Sequence, residues 1–265
     1  AQKSYWRRQL KGATALDFSA VRQPGQEAAA ARPARLKVEG VSSRTLGPEL
    51  WGALQAFNRR EQVTPFMTAM TAFVALLHKY TGREDICVTT DFANRTRKEF
   101  ERVMGFFSNR VILRMDLSHD PGLRELLKRV RGVVLDGYAH QSLPFLAQLE
   151  VLGREYDYAD SFPLHRVQCQ LLNLPNVVEE AAEAPAAEGA RPAGAALPIT
   201  HEDNSMESDL ILRVREATGE LVLEYDTGLF TAALIERMWD YLEAVLRAIA
   251  ADPDRRLSEL PPLAP

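Results

Sequence analysis

The sequence predicts an α/β layered domain. Segments whose apolar residues recur at helical spacing alternate with short segments whose apolar residues alternate one by one. Helix-start signals stand at Gly47-Pro48, Thr64-Pro65, Asp120-Pro121 and Thr231. A Thr218-Gly219 turn separates two alternating runs near the end.

In chain order, Tyr5 to Leu10 reads as a helical turn or two, and the Ala, Pro and Arg of Ala28 to Arg35 read as loop. Arg35 to Val41 alternates and is expected to be a strand. A helix is expected from Pro48 to about Glu61, with Leu50, Leu54 and Phe57 on one face. Thr64 can cap the free amides of the next helix, Pro65 suits its first position, and Gly82 stops it. Between them Phe66, Met67, Met70, Phe73, Val74 and Leu77 recur at helical spacing, which places this helix at the centre of the core. Asp85 to Phe92 and Phe106 to Leu117 read as strands, the second alternating Val111, Leu113 and Met115 against Ile112 and Arg114. Asp120-Pro121 starts a long helix with Leu123, Leu126, Leu127, Val130, Val133, Val134 and Tyr138 on its apolar face. Pro144 to Leu152 is a shorter helix, and Leu164 to Leu172 a further strand. Residues 178–197 have almost no bulky apolar side chain to offset the entropy of ordering, so a mobile loop is expected there. Leu210, Leu212 and Val214, then Leu221, Leu223 and Tyr225, form two strands around the turn. Thr231 caps a last helix carrying Leu234, Ile235, Met238, Trp239, Leu242, Val245, Leu246 and Ile249. Residues 252–265, with Pro253, Pro261 and Pro262, read as an exit linker.

The chain has 265 residues, 46% of them hydrophobic, which excludes a disordered or collagen-like polypeptide. A chain this long buries about 75% of its unfolded surface and holds one large core or two modest ones. Two cysteines, Cys87 and Cys169, exclude a disulfide scaffold. Their apolar contexts read as buried thiols, which points to the cytoplasm. The formal charge of -4 argues against nucleic acid as a partner. Apolar runs fall short of the ~18 residues a membrane span needs, and Ala1 to Arg8 is no signal peptide. The first residue is Ala, which fits a processed chain and a piece of a longer protein equally.

Each of the five histidines has a plain structural reading. His78 fits a helix boundary, His119 a solvated turn and His165 a strand position. His140 opens His-Gln-Ser-Leu-Pro-Phe and suits either a site residue or a hydrogen-bonded helix end. His201-Glu202-Asp203-Asn204 invites a metal reading, but consecutive loop residues rarely converge on one ion, so no metal is expected. Gly105 and Gly122 lack phosphate-cradle spacing, there is no Gly-x-Ser-x-Gly elbow, and no nucleophile-and-base pair stands out. Residue chemistry alone therefore names no catalytic residue.

Several motifs in order resemble the C-terminal half of the condensation domains of nonribosomal peptide synthetases. Residues 64–117 carry the longest likeness, including Ala93-Asn-Arg-Thr-Arg97 and Met104-Gly-Phe-Phe-Ser-Asn109, similar to the family's Gly-x-Phe-Val-Asn-Thr. His140 to Phe145 resembles His-Gln-Asp-x-Pro-Phe, Tyr5 to Gly12 the segment after the family's N-terminal half, and residues 219–230 its closing hairpin. Ser108, Arg110, Ser142 and His165 depart from the family pattern. The family's His-His-x-x-x-Asp-Gly signature, whose second His handles the acceptor amine's proton, is nowhere in this sequence.

The resemblance implies a chloramphenicol-acetyltransferase-like lobe, a mixed β-sheet covered by α-helices. Residues 1–260 would be the C-terminal subdomain, with the N-terminal subdomain on other polypeptide. The implied reaction joins an acyl donor and an amine acceptor, each tethered to a peptidyl or aryl carrier protein. Their phosphopantetheine arms belong to the carriers, so the lobe needs no cofactor of its own. The lobe would be inactive alone and form one wall of a substrate tunnel. Ser108, Asn109, His140 and Gln141 are its candidate wall residues; the competing reading has Asn109 and Gln141 only tying backbone together. Residues 178–204 would border the tunnel or reach toward the other lobe. A lone lobe is expected to expose an apolar face and self-associate. Two other functions fit the same resemblance: a non-catalytic module that recruits a carrier protein or tailoring enzyme, and an epimerase-type relative.

Overall fold

Six strands and six α-helices make up the described part of the chain, residues 2–16, 18, 39–95, 97–100, 103–150, 163–172 and 208–262 of a computed structural model. In order these are α1 (Gln2–Leu10), β1 (Glu39–Thr45), α2 (Pro48–Glu61), α3 (Pro65–Thr81), β2 (Asp85–Phe92), β3 (Asn109–Asp116), α4 (Leu123–Ala139), α5 (Phe145–Glu150), β4 (Val167–Leu171), β5 (Leu210–Arg215), β6 (Glu220–Asp226) and α6 (Ala232–Ala251). Short 3₁₀ turns occupy Lys98–Phe100, Pro163–His165 and Leu257–Glu259. The sheet is mixed, in the order β1-β6-β5-β4-β2-β3. β4 runs parallel to both β2 and β5, and the other neighbours are antiparallel.

The start and stop signals act as chemistry demands. Thr64 Oγ1 accepts from the Met67 N–H (3.2 Å), and Gly82 ends α3 at φ 66°. Every residue from Phe66 to Leu77 is buried. A helix apolar all round needs neighbours all round; α3 has strands β2 and β5 on one side and α2, α4 and α6 on the others. Thr231 caps α6 in the same way, through the Leu234 N–H (3.2 Å). The strand residues facing these helices are apolar: Val111, Leu113 and Met115 from β3, Ile86 and Val88 from β2, Leu210, Leu212 and Val214 from β5. α5 packs against β3, and α1 packs against α5.

Several boundaries differ from expectation. Among the described residues the first strand is Glu39–Thr45, which overlaps the expected one at residues 39–41 and runs past its expected end at Val41; residues 28–38 lie outside the described residues. Gly40 of that strand lies under the Tyr225 ring of β6, which would have to move for a Cβ there, otherwise 2.4 Å away. β3 begins at Asn109, and Phe106 lies outside it, exposed. His165 is in a 3₁₀ turn before β4, buried, rather than on the strand. Tyr138 lies off the buried face of α4, and Gly137 takes its place against Leu113. Asp120 does not cap α4: it grips the Ser258 backbone N–H (2.8 Å) and hydroxyl (2.7 Å) at the chain's far end.

That contact belongs to a clasp. The segment expected to leave as a linker is fastened to the fold as far as Leu260. Leu257 and Leu260 are buried, Arg124 pairs with Asp254 (2.8 Å), and the Leu123 N–H donates to the Arg255 carbonyl (2.9 Å). Gly122 fits beneath it because a Cβ would lie 2.8 Å from the Asp254 carbonyl oxygen. Residues 178–197, expected to be a mobile loop, and 201–204 lie outside the described residues.

Candidate functional site

Asn109 opens β3 and staples a distant turn. Its Nδ2 donates to the carbonyls of Gln141 (2.6 Å) and Leu143 (2.7 Å), and its Oδ1 accepts from the Phe145 N–H (3.1 Å). One side-chain amide thus satisfies three main-chain groups of the α4–α5 connection, which no helix or strand pairs. Gln141 is 3% exposed. Its Nε2 donates to the Tyr138 carbonyl (2.9 Å), leaving Oε1 buried without a partner. Gln148 on α5 closes the arrangement, donating to the carbonyls of Leu143 and Arg110 (both 3.0 Å).

His140 stands at the other end of this turn. Its ring stacks on Tyr5 (3.8 Å, 8°), its Nδ1 lies 2.8 Å from the Asp136 carbonyl, and its own carbonyl accepts from the Trp6 indole N–H (3.1 Å). Burial, with Asp136 nearby, pushes the Tyr5 phenol up to about 12, so the phenol stays uncharged near neutral pH. The structure therefore brings Asn109, His140 and Gln141 together, with half-buried Ser108 directly before the staple. His78 and His119 stand away from it, His78 against the Arg83 carbonyl (2.9 Å) and His119 exposed. His201 to Asn204 lie outside the described residues, and no cluster of metal-ligating groups occurs among the described residues.

A second polar array went unread in the sequence. On the sheet face opposite the apolar one, Arg110 pairs with Asp91 (2.9 Å), and Asp91 accepts from Gln170 Nε2 (3.0 Å). Gln170 accepts from Arg213, and Arg213 holds Glu224 bidentately (2.5 and 2.8 Å). Hydrogen bonds therefore cross five strands from β3 to β6. Opposite charges at like parity on either side of the Thr218-Gly219 turn were a legible signal for the last pair. Arg95 was also missed. It binds the carbonyls of Phe100, Val103 (2.9 Å) and Gly105 (3.4 Å) and lies over the Phe107 ring (4.4 Å).

The two thiols are no nucleophiles. Burial pushes Cys87 up to about 12, helped by Asp85, and Cys169 is raised further by burial alone. The site offers fixed backbone, two amides, an aromatic stack and a polar sheet face. These fix the backbone of the turn in place, and no acid–base pair set for bond-making stands among the described residues of the site.

A mixed six-stranded sheet covered by helices, with a stapled turn at one end of β3, defines a layered α/β scaffold, and likeness to known proteins specifies it. The family model for the condensation domain matches residues 1–264, and the chain belongs to that family. It is 37% identical to a linear gramicidin synthase of Brevibacillus parabrevis over 265 residues, 98% of this chain and 5% of that protein. Its fold resembles that of a four-domain nonribosomal peptide synthetase bound to AMP and glycine (TM-score 0.78, 24% identity, 98% of this chain and 20% of that one). It also resembles the condensation domain from the monacolin K polyketide synthase MokA (TM-score 0.75, 17% identity, 97% of this chain and 58% of that one). The chain thus spans a small fraction of the curated relatives it matches, and little over half of a chain described as one condensation domain. The expected mixed sheet covered by helices is the fold observed. No helix among the described residues is long and apolar enough to cross a membrane.

Proposed function

We propose that this chain is the C-terminal lobe of a condensation domain that joins a carrier-tethered acyl donor to a carrier-tethered amine in nonribosomal peptide biosynthesis. One observation carries the reading: the family match fills this chain, yet the chain fills 58% of a condensation-domain chain of like fold and contains no His-His-x-x-x-Asp-Gly. In the reaction the amine attacks the thioester carbonyl, a C–N bond forms, the C–S bond breaks and the amine proton must be taken. Both partners are already reactive, so positioning can lower the barrier by roughly 7–11 kcal/mol. A general base adds about 10²–10⁴-fold, and it would come from the other lobe. The Asn109 staple, with Ser108, His140 and Gln141, gives one tunnel wall a fixed backbone. The phosphopantetheine arms are part of the substrates; peptidyl or aryl carrier proteins are the partners.

The test is co-expression with polypeptide carrying the signature half, followed by assay of amide formation from loaded carriers. The pair should form product and this chain alone should not. Product from this chain alone, or none from a well-folded pair, refutes the reading.

A further inference from the structure

β1 is an edge of the sheet, and its outer side has no neighbour among the described residues. Open sheet edges normally carry a lysine, a proline or a bulge that keeps other strands off. β1 has none of these: Glu39–Thr45 holds unbroken register with β6, and Val41 stands 62% exposed. Every second residue of such a strand turns its N–H and C=O outward, where a further strand can pair with them. Side chains alternate across it, and Ser42 and Arg44 are the ones that reach α6. Beside Arg44 a cleft of about 150 Å³ opens between strand and helix, floored by Leu221, Trp239, Leu242 and Leu246. A cavity of that volume holds one benzene ring. At its rim Arg44 is shared by Glu236 (2.7 Å) and Asp240 (2.9 Å), both more than half exposed, and Glu243 binds Arg247 (2.5 Å). Three carboxylates thus meet two guanidinium groups, and the rim keeps a negative surplus.

We propose that the β1 edge accepts an extended peptide segment of a partner protein, which adds to the six-stranded sheet, sets one aromatic or large aliphatic side chain in the cleft and lays basic side chains against Glu236 and Asp240. In strand addition the main chain supplies affinity and pockets for alternate side chains supply selection. The open edge calls for main chain, the cleft takes one ring-sized apolar group, and the charge of the rim favours cations over anions. A second copy of this chain fits less well. Set with its helices on the same side, its β1 turns Gly40, Ser42 and Arg44 toward the cleft, and none is a large apolar group. The site lies five strand spacings from β3, about 24 Å. It is therefore separate from the Asn109 staple and independent of the amide-forming reading.

The probe is the synthetic peptide Thr-Lys-Thr-Phe-Thr-Lys-Thr, whose phenylalanine and lysines share one face of a strand. It is titrated into the isotope-labelled chain, and NMR follows the amides of residues 40–46 and the Trp239 indole N–H, which donates to Ser42 Oγ (2.9 Å). These resonances should shift together and saturate at one peptide per chain. Alanine in place of the peptide's phenylalanine should weaken binding about tenfold or more. Glutamates in place of its lysines should weaken it about three- to tenfold at low salt, and the chain variant Glu236→Lys/Asp240→Lys should reverse that preference. The variant's melting temperature should hold, because both carboxylates stand at the surface. Methylating every second amide nitrogen of the peptide should abolish binding for one set of positions and spare it for the other, since only one set faces β1. No shift at millimolar peptide overturns the proposal. Equal binding of both methylated peptides reduces the site to a cleft for a side chain and overturns strand addition. The same shifts appearing without peptide as the chain is concentrated assign the edge to a second copy and overturn it too.

Discussion

Replacing Asn109 by alanine tests what the staple does. The variant removes two donated hydrogen bonds, to the Gln141 and Leu143 carbonyls, and one accepted from the Phe145 N–H. A hydrogen bond contributes about 0.5–1.5 kcal/mol net, and a buried group left unpaired costs about 1–3 kcal/mol. The position is half-buried, so water can reach part of it. The sum is about 2–4 kcal/mol, or roughly 5–15 °C in melting temperature for a chain of this size. Circular dichroism gives the melt, and hydrogen exchange should show the Phe145 amide losing protection. Asn109→Asp sharpens the test. Its carboxylate can still accept from Phe145 but faces two carbonyls, so at neutral pH it should cost at least as much. Protonation returns a donor, so its folded-state pKa lies above the ordinary value of about 3.9. The stabilisation from that proton is full below the unfolded value and lost as pH rises through the folded one, so the deficit should shrink on acidification. An Asn109→Ala melt within a degree of wild type, with Phe145 equally protected, refutes the reasoning. Lost amide formation in a reconstituted pair with an unchanged melt would instead place Asn109 on the substrate.

Arg213→Met should destabilise by about 3–5 kcal/mol, because Glu224 has a side chain only 5% exposed and would lose its bidentate partner; adding Glu224→Leu should recover much of that in chemical denaturation. Cys87 and Cys169 should resist a thiol reagent at pH 8 in the native chain and react at once in denaturant, since burial holds both thiols protonated; fast native labelling would contradict their placement. Ion pairing and hydrogen bonds lower Glu61, beside Arg124, and Asp120, beside Ser258, so their stabilisation is present above the ordinary carboxylate range and fades as pH falls through the lowered values. Asp120→Asn should flatten part of that acid limb in melts taken across the pH range, and an unchanged limb would count against the clasp.

The elements legible in the sequence are those specified by neighbours along the chain. Thr64, Pro65 and Gly82 bracket α3 because a cap, a first-turn proline and a left-handed stop act within one turn of helix. Thr231 marks α6 on the same grounds. The end of β1 at Thr45 is not legible locally because Ser-Ser-Arg-Thr has little apolar alternation, and its extent is set by β6, some 180 residues away. Asp120-Pro121 reads as a helix start because its local context suits one; only the fold brings Ser258 within reach of Asp120. The motifs carrying Asn109 and Gln141 were visible, but not that Asn109 would spend its whole amide on residues 32 to 36 positions further on. Arg95 and the Arg110-to-Glu224 array stayed hidden for the same reason, since each depends on strand order and register.

The join between β2 and β4 is narrow. Thr89 opposite Gln168 is the one register pair linking them among the described residues, against eight between β2 and β3 and five between β4 and β5. Side chains reinforce it: Thr89 Oγ1 donates to the Val167 carbonyl (3.3 Å), and Gln170 reaches Asp91. The sheet is accordingly two stiff panels meeting at a seam, one bearing the stapled turn and the other the closing hairpin. Across that seam Thr89 and Gln170 supply hydrogen bonds from side chains, and α3 lies over both panels, against β2 in one and β5 in the other.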